Sequence, residues 1–172
     1  MFRLHRLLLH PLAVLGLLHL YAAWRLLGAF PGQPAVQAAI ATFLVSSFLL
    51  MPLSMTVRRR GRDALTYALA WSGFLVMGLF SSLCVLLLLR DLALLVVSLV
   101  SSLPDGGWYR SSALMVMALA VTASLAGAAV ARKGLRVREV QIPIEGLPRA
   151  LNGFRIAQIS DIHVGATIGR DF

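Results

Sequence analysis

Four apolar runs, each about as long as a bilayer-crossing helix, constrain this chain more than any other feature. They lie at about 7–27, 35–57, 64–89 and 111–131. A hydrocarbon core of about 30 Å takes about 20 residues of helix at 1.5 Å each. Composition agrees with that reading. Hydrophobic residues make up 59% of the 172 and charged residues 13%, where a soluble domain carries about a quarter charged. Mean hydropathy is +0.82. Residues 1–131 are therefore expected to form a helical transmembrane domain with the bilayer as its solvent. The first run follows Arg3 and Arg6 as a secretory signal would. It is longer than a signal's apolar core and no small-x-small cleavage site follows, so it reads as an uncleaved helix.

The formal net charge of +9 raises nucleic acid as a partner, and the placement of the charge argues against it. Arg3 and Arg6, Arg58 to Arg60 with Arg62, and Arg132, Lys133, Arg136 and Arg138 all sit at the ends of apolar runs. Cations in those positions anchor helices against anionic lipid rather than track a phosphate backbone. By the positive-inside rule the N-terminus and the chain after Ala131 lie in the cytoplasm, with four spans between them. The stretch 92–103 complicates that count. A single helix over 64–103 would be about 60 Å long, twice the core thickness. Behind Arg90 and Asp91, the stretch is expected to form a short interfacial or re-entrant helix ending at Pro104-Asp105-Gly106-Gly107. Trp108 and Tyr109 would follow in an aromatic belt.

The pattern changes after Ala131. Residues 132–153 read as a basic linker and an edge strand, in which Val140, Ile142 and Ile144 alternate with Gln141 and Pro143. Residues 154–160 read as a second, more buried strand. A soluble domain is expected to start there. The 40 or so residues after Ala131 are fewer than usually fold alone, which makes Phe172 look like a truncation.

Asp161 and His163 close that second strand. Residues i and i+2 of an extended chain point to the same side, so a carboxylate and an imidazole at this spacing can reach one metal ion. The O/N donor pair suits Mn, Fe or Zn. The run Leu151-Asn152-Gly153-Phe154-Arg155-Ile156-Ala157-Gln158-Ile159-Ser160-Asp161-Ile162-His163-Val164-Gly165 closely resembles the first motif block of calcineurin-like metallophosphoesterases. It looks most like their bacterial membrane-anchored subgroup, to which Thr167-Ile168-Gly169-Arg170 is also similar. That resemblance covers about the last 30 residues. It implies an α/β/β/α domain with two divalent metal ions that hydrolyses phosphate esters or anhydrides, and it makes Asp161 and His163 ligands of one metal. The family's later motif blocks do not occur in these 172 residues, so this chain alone is expected to be inactive.

The sequence thus predicts a four-span helical bundle with a short interfacial helix, followed by the first strands of an α/β metallophosphoesterase domain at 154–172. Its expected function is that of a membrane-anchored phosphoesterase with a cytoplasmic head in a bacterial inner membrane, acting on a phosphorylated substrate, with lipid-linked phosphates among the candidates. The alternative is a non-enzymatic membrane module for transport, sensing or lipid binding. Within the apolar runs, Arg25 is expected to snorkel to the interface, His19 to be packed and hydrogen-bonded, with Ser46 or Ser47 as partner candidates, and Arg90 and Asp91 to mark the end of the third span. Small residues at Ala123, Ser124, Gly127 and Ala128 suit close helix packing on the fourth span, within the bundle or between protomers. Cys84, alone, can form no intrachain disulfide.

Overall fold

The computed structural model describes residues 2–57, 63–101, 106–132, 138–151 and 153–159, with backbone alone for 2–10 and 106. Four helices make up most of it: α1 (Phe2–Leu27), α2 (Pro34–Val57), α3 (Ala64–Val100) and α4 (Gly106–Ala131). Helix α3 is central and packs against the other three.

Each helix boundary has a local cause. Past Leu27 the carbonyls of α1 are taken up by tight turns, Ala29 N–H to Leu26 O at 3.1 Å and Phe30 N–H to Leu27 O at 3.3 Å. Gln37 reaches back from α2 to the Leu27 carbonyl at 3.2 Å, and the Phe30 ring is buried as the plug of this turn. Pro34 opens α2 where its missing N–H would have had no partner anyway. Asp63 caps α3, its carboxylate accepting from the Thr66 amide at 3.2 Å. Ser101 ends α3 with its N–H on the Val97 carbonyl at 2.9 Å.

The core is small residues and a few large ones in contact: Ala22, Leu26, Phe30, Leu44, Met51, Phe80, Leu83, Leu87, Ala113, Val116 and Ala120. The outward faces are apolar too, with Leu17, Leu20, Val45, Leu75, Leu88 and Leu125 each about half exposed or more. In water that surface would be unfavourable at about 25 cal/mol per Å². Lipid removes the cost. Helices α2 and α3 approach most closely at Gly73, where an added Cβ would overlap the Ser54 side chain and lie 3.0 Å from the Leu50 carbonyl.

Three expectations are corrected. First, α3 is one helix of 37 residues, so 92–100 is its continuation and not a separate interfacial helix. Arg90 and Asp91 do not interrupt it because both find partners on other helices. Second, the four spans become three among the described residues: Pro34–Thr56, Ala64–Val100 and Gly107–Ala131 are long and apolar enough to cross a membrane. The described apolar stretch of α1, Pro11–Leu27, reaches only about 26 Å. Third, no strand forms among the described residues, so the α/β start of a head domain is absent there. Residues 138–144 and 154–159 run without regular structure, joined through a turn at Gly146 (φ 76°) and a short 3-10 turn at Arg149–Leu151. Alternating apolar residues decide which side each residue faces, but a strand exists only when a neighbour completes its ladder. Val140, Ile142, Phe154 and Ile156 are instead 69–82% exposed, with no described segment alongside.

Candidate functional site

The polar side chains inside the bundle gather in two networks. The first surrounds His19 of α1, which is 7% exposed. Its Nδ1 donates to the Leu15 carbonyl at 2.8 Å and its Nε2 lies 2.9 Å from Ser47 Oγ on α2. The ring stacks on Phe80 of α3 at 3.8 Å and meets Phe48 edge-on at 5.4 Å. Ser47 Oγ also lies 2.9 Å from the Leu44 carbonyl. A hydroxyl has one hydrogen, so Ser47 donates either to Leu44 or to His19, never to both. The sequence reading of a packed, hydrogen-bonded histidine with Ser47 as a partner holds.

The second network ties α1, α3 and α4 together at one level. Asp91 Oδ2 accepts from the Tyr21 hydroxyl at 2.7 Å, and Oδ1 accepts from Arg25 Nε at 3.0 Å and from Arg25 Nη2. Arg90, 8% exposed, turns the other way. Its Nε donates to Ser112 Oγ at 2.8 Å and its Nη2 to the Tyr109 carbonyl at 3.0 Å, with the guanidinium 5.5 Å from the Tyr109 ring. Its Nη1 is buried, has no hydrogen-bond partner among the described residues, and lies 3.6 Å from Asp91 Oδ1. Arg25 therefore does not simply snorkel: it is clamped to a carboxylate 66 positions away in sequence. Adjacent helical residues diverge by about 100°, which is why Arg90 and Asp91 serve different neighbours. Sequence reasoning missed the clamp, although Tyr21 and Arg25 stand one helical turn apart on one face of α1.

At the opposite end Arg132, just past α4, lies 5.5 Å over the Trp71 ring of α3, and Tyr67 packs edge-on against Trp71 at 6.2 Å. Thr66, through its side chain first and its amide second, holds the Asp63 carboxyl below its ordinary range by bonding its charged form. Both networks join helix to helix, and their chemistry is that of a clasp. Among the described residues no group of three or more His, Cys, Asp and Glu gathers as a metal site. The metal ligands expected from sequence, Asp161 and His163, lie outside the described residues.

Comparison with known proteins gives one informative similarity. Over 57 residues the chain is 49% identical to a zebrafish (Danio rerio) protein described as "Transmembrane protein with metallophosphoesterase domain". The match covers 32% of this chain and 13% of the relative, so the chain spans only a small part of that protein's length. No family model matches, and no solved structure matches. Three apolar helices of spanning length together with this relative make the chain a membrane protein. The relative is a vertebrate protein, so the expected bacterial subgroup, and with it the bacterial inner membrane, is not supported.

Proposed function

We propose that this chain is the membrane-embedded part of a metal-dependent phosphoesterase. The observation that carries the reading is the 49% identity over 57 residues with a transmembrane metallophosphoesterase-domain protein. Asp161-x-His163 in its surrounding run is consistent with it. A carboxylate and an imidazole are donors that suit Mn, Fe or Zn, and these two residues would hold one ion of a metal pair. Such ions polarise a phosphoryl group and lower the pKa of a bound water.

In this reading the helices hold and orient the catalytic part. The polar networks favour that role over transport, because among the described residues their charges bond to neighbouring helices across the bundle. By the positive-inside rule, the basic residues at 58–62 and 132–138 favour the cytoplasmic side for the segment after α4. A phosphorylated substrate held at the bilayer, such as a lipid-linked phosphoester, fits a catalytic part so tethered.

The test uses the protein isolated from its native membrane with an antibody against residues 138–151. Release of nitrophenol from bis-nitrophenyl phosphate should require Mn or Zn, and recombinant Asp161→Ala should lose both bound metal and activity. Equal turnover in chelator, or full metal content in Asp161→Ala, would remove the reading. Lipid-phosphate vesicles hydrolysed no faster than soluble esters would remove the substrate class alone.

A further inference from the structure

The polar bonds that attach helix α1 to α2 and α3 have substitutes already in place. Ser47 Oγ on α2 serves His19 Nε2 at 2.9 Å and stands at the same distance from the Leu44 carbonyl. A carbonyl only accepts, so His19 Nδ1, 2.8 Å from the Leu15 carbonyl, carries the hydrogen, and Nε2 of the neutral ring accepts from Ser47. When α1 moves off, Ser47 can turn its one hydrogen to Leu44, and His19 keeps its bond to Leu15 on its own helix. Asp91 on α3 repeats the device. Its Oδ1 is held by Arg25 of α1. The buried Arg90 Nη1, without a hydrogen-bond partner among the described residues, stands 3.6 Å from the same oxygen. Arg25 in turn lies 5.2 Å from the ring of Trp24, its exposed neighbour on α1.

We propose that α1 is a movable strap over α2 and α3, swinging about the turn at 28–33 between a docked and a released position. The docked position gathers two guanidinium groups on one carboxylate. Release leaves Asp91 and Arg90 as a neutral pair on α3, and Arg25, already 19% exposed, carries its charge out to the interface. Among the groups that join α1 to its neighbours, the Tyr21 hydroxyl and the His19 Nε2 acceptor are then left unbonded. Apolar burial adds little resistance, because lipid tails are as apolar as the side chains they would replace. The outer face of α1 already meets lipid through Leu17, Leu20 and Trp24. Interhelical polar bonds in a bilayer hold weakly when the separated helices find other partners, and here those partners are built in. The turn suits a hinge. Gly32 has a φ of 73°, and Gln37 ties the Leu27 carbonyl to α2, so this end of α1 stays fixed while its N-terminal part moves. Ser47 of α2 and Phe80 of α3, which pack on His19 when α1 is docked, then face acyl chains. The proposal stands without the phosphoesterase reading, since it concerns the bundle alone.

Spin labels at the lipid-facing Leu17 of α1 and Leu88 of α3 report the two positions as two distances. The full chain carries Cys84→Ala and is reconstituted in phosphatidylcholine nanodiscs. Labels at Val45 of α2 and Leu88 form a control pair that the swing leaves alone. Tyr21→Phe removes a bond made when α1 is docked and should raise the longer-distance population about threefold, as should Ser47→Ala. The two together should raise it about tenfold. Arg90→Met decides the sign. It takes away the substitute partner of Asp91, so the released population should fall by about tenfold or more, and the rise in the Tyr21→Phe, Ser47→Ala chain should be cancelled. An arginine that merely tied α3 to α4 would act in the reverse direction. Arg90→Lys, which keeps a cation beside Asp91, should restore release. A single unchanged distance in every variant, or a released population that grows in Arg90→Met, overturns the proposal. A control distance that shifts along with the first also overturns it, because the bundle as a whole is then coming apart.

Discussion

Asp91 is the residue on which the network joining α1, α3 and α4 turns, because one carboxylate answers two guanidinium groups and a phenol. Replacing it by Asn leaves Arg25 and Arg90 near each other without a counter-charge. Breaking a buried pair costs about 3–5 kcal/mol. The partial exposure of Arg25 and Asp91 (19% and 24%) lowers the expected loss to about 2 kcal/mol, read from unfolding in mixed detergent. The double variant Arg25→Leu with Asp91→Leu should be less destabilised than Asp91→Leu alone, because it leaves one fewer unpaired charge. Asp63 gives a pH-dependent test. Its folded pKa is depressed, so its contribution is complete above the unfolded value of about 3.9 and is lost as pH falls through the folded value. Hydrogen exchange at the Thr66 amide should therefore show fraying of the first turn of α3 only in acid, and Asp63→Asn should remove that pH dependence.

At the scale of elements, α2 and α3 share the tightest seam. Gly73→Ala forces a methyl group against Ser54 and should destabilise by about 1–3 kcal/mol; Ser54→Gly should relieve part of it. The apolar runs made the helices easy to locate, since length and hydropathy are properties of one segment. The reach of α3 was not legible for the opposite reason. Arg90 and Asp91 look like a boundary when each segment is weighed alone, and become tolerable only once Arg25, Tyr21, Ser112 and Tyr109 arrive from other helices. The strand pattern near 140–144 and 154–159 failed similarly, because alternation says nothing about who completes the ladder. Asp161 and His163, read from spacing and resemblance, fall outside the described residues. Continuity of α3 can be measured directly: spin labels at Leu65 and Val100, in a Cys84→Ala background, should lie about 52 Å apart along an unbroken helix.

Across the whole molecule, the two ends differ in kind. At one, Arg132 lies over the Trp71 ring; the other binds its charges to each other beside Tyr21, Trp24 and Tyr109. Helices α1, α2 and α4 all begin or end near the level of Arg90, yet α3 runs on to Val100. Those ten further residues add about 15 Å of mostly exposed Leu and Val to a helix already long enough to cross. A rod of about 55 Å in a slab of about 30 Å cannot be matched on both faces without tilting, thickening the slab or leaving its tip bare. The bundle is therefore built with an inherent sensitivity to bilayer thickness. Its midpoint of thermal unfolding should climb as acyl chains lengthen, and the climb should flatten in a variant whose α3 is cut back by removing residues 92–99.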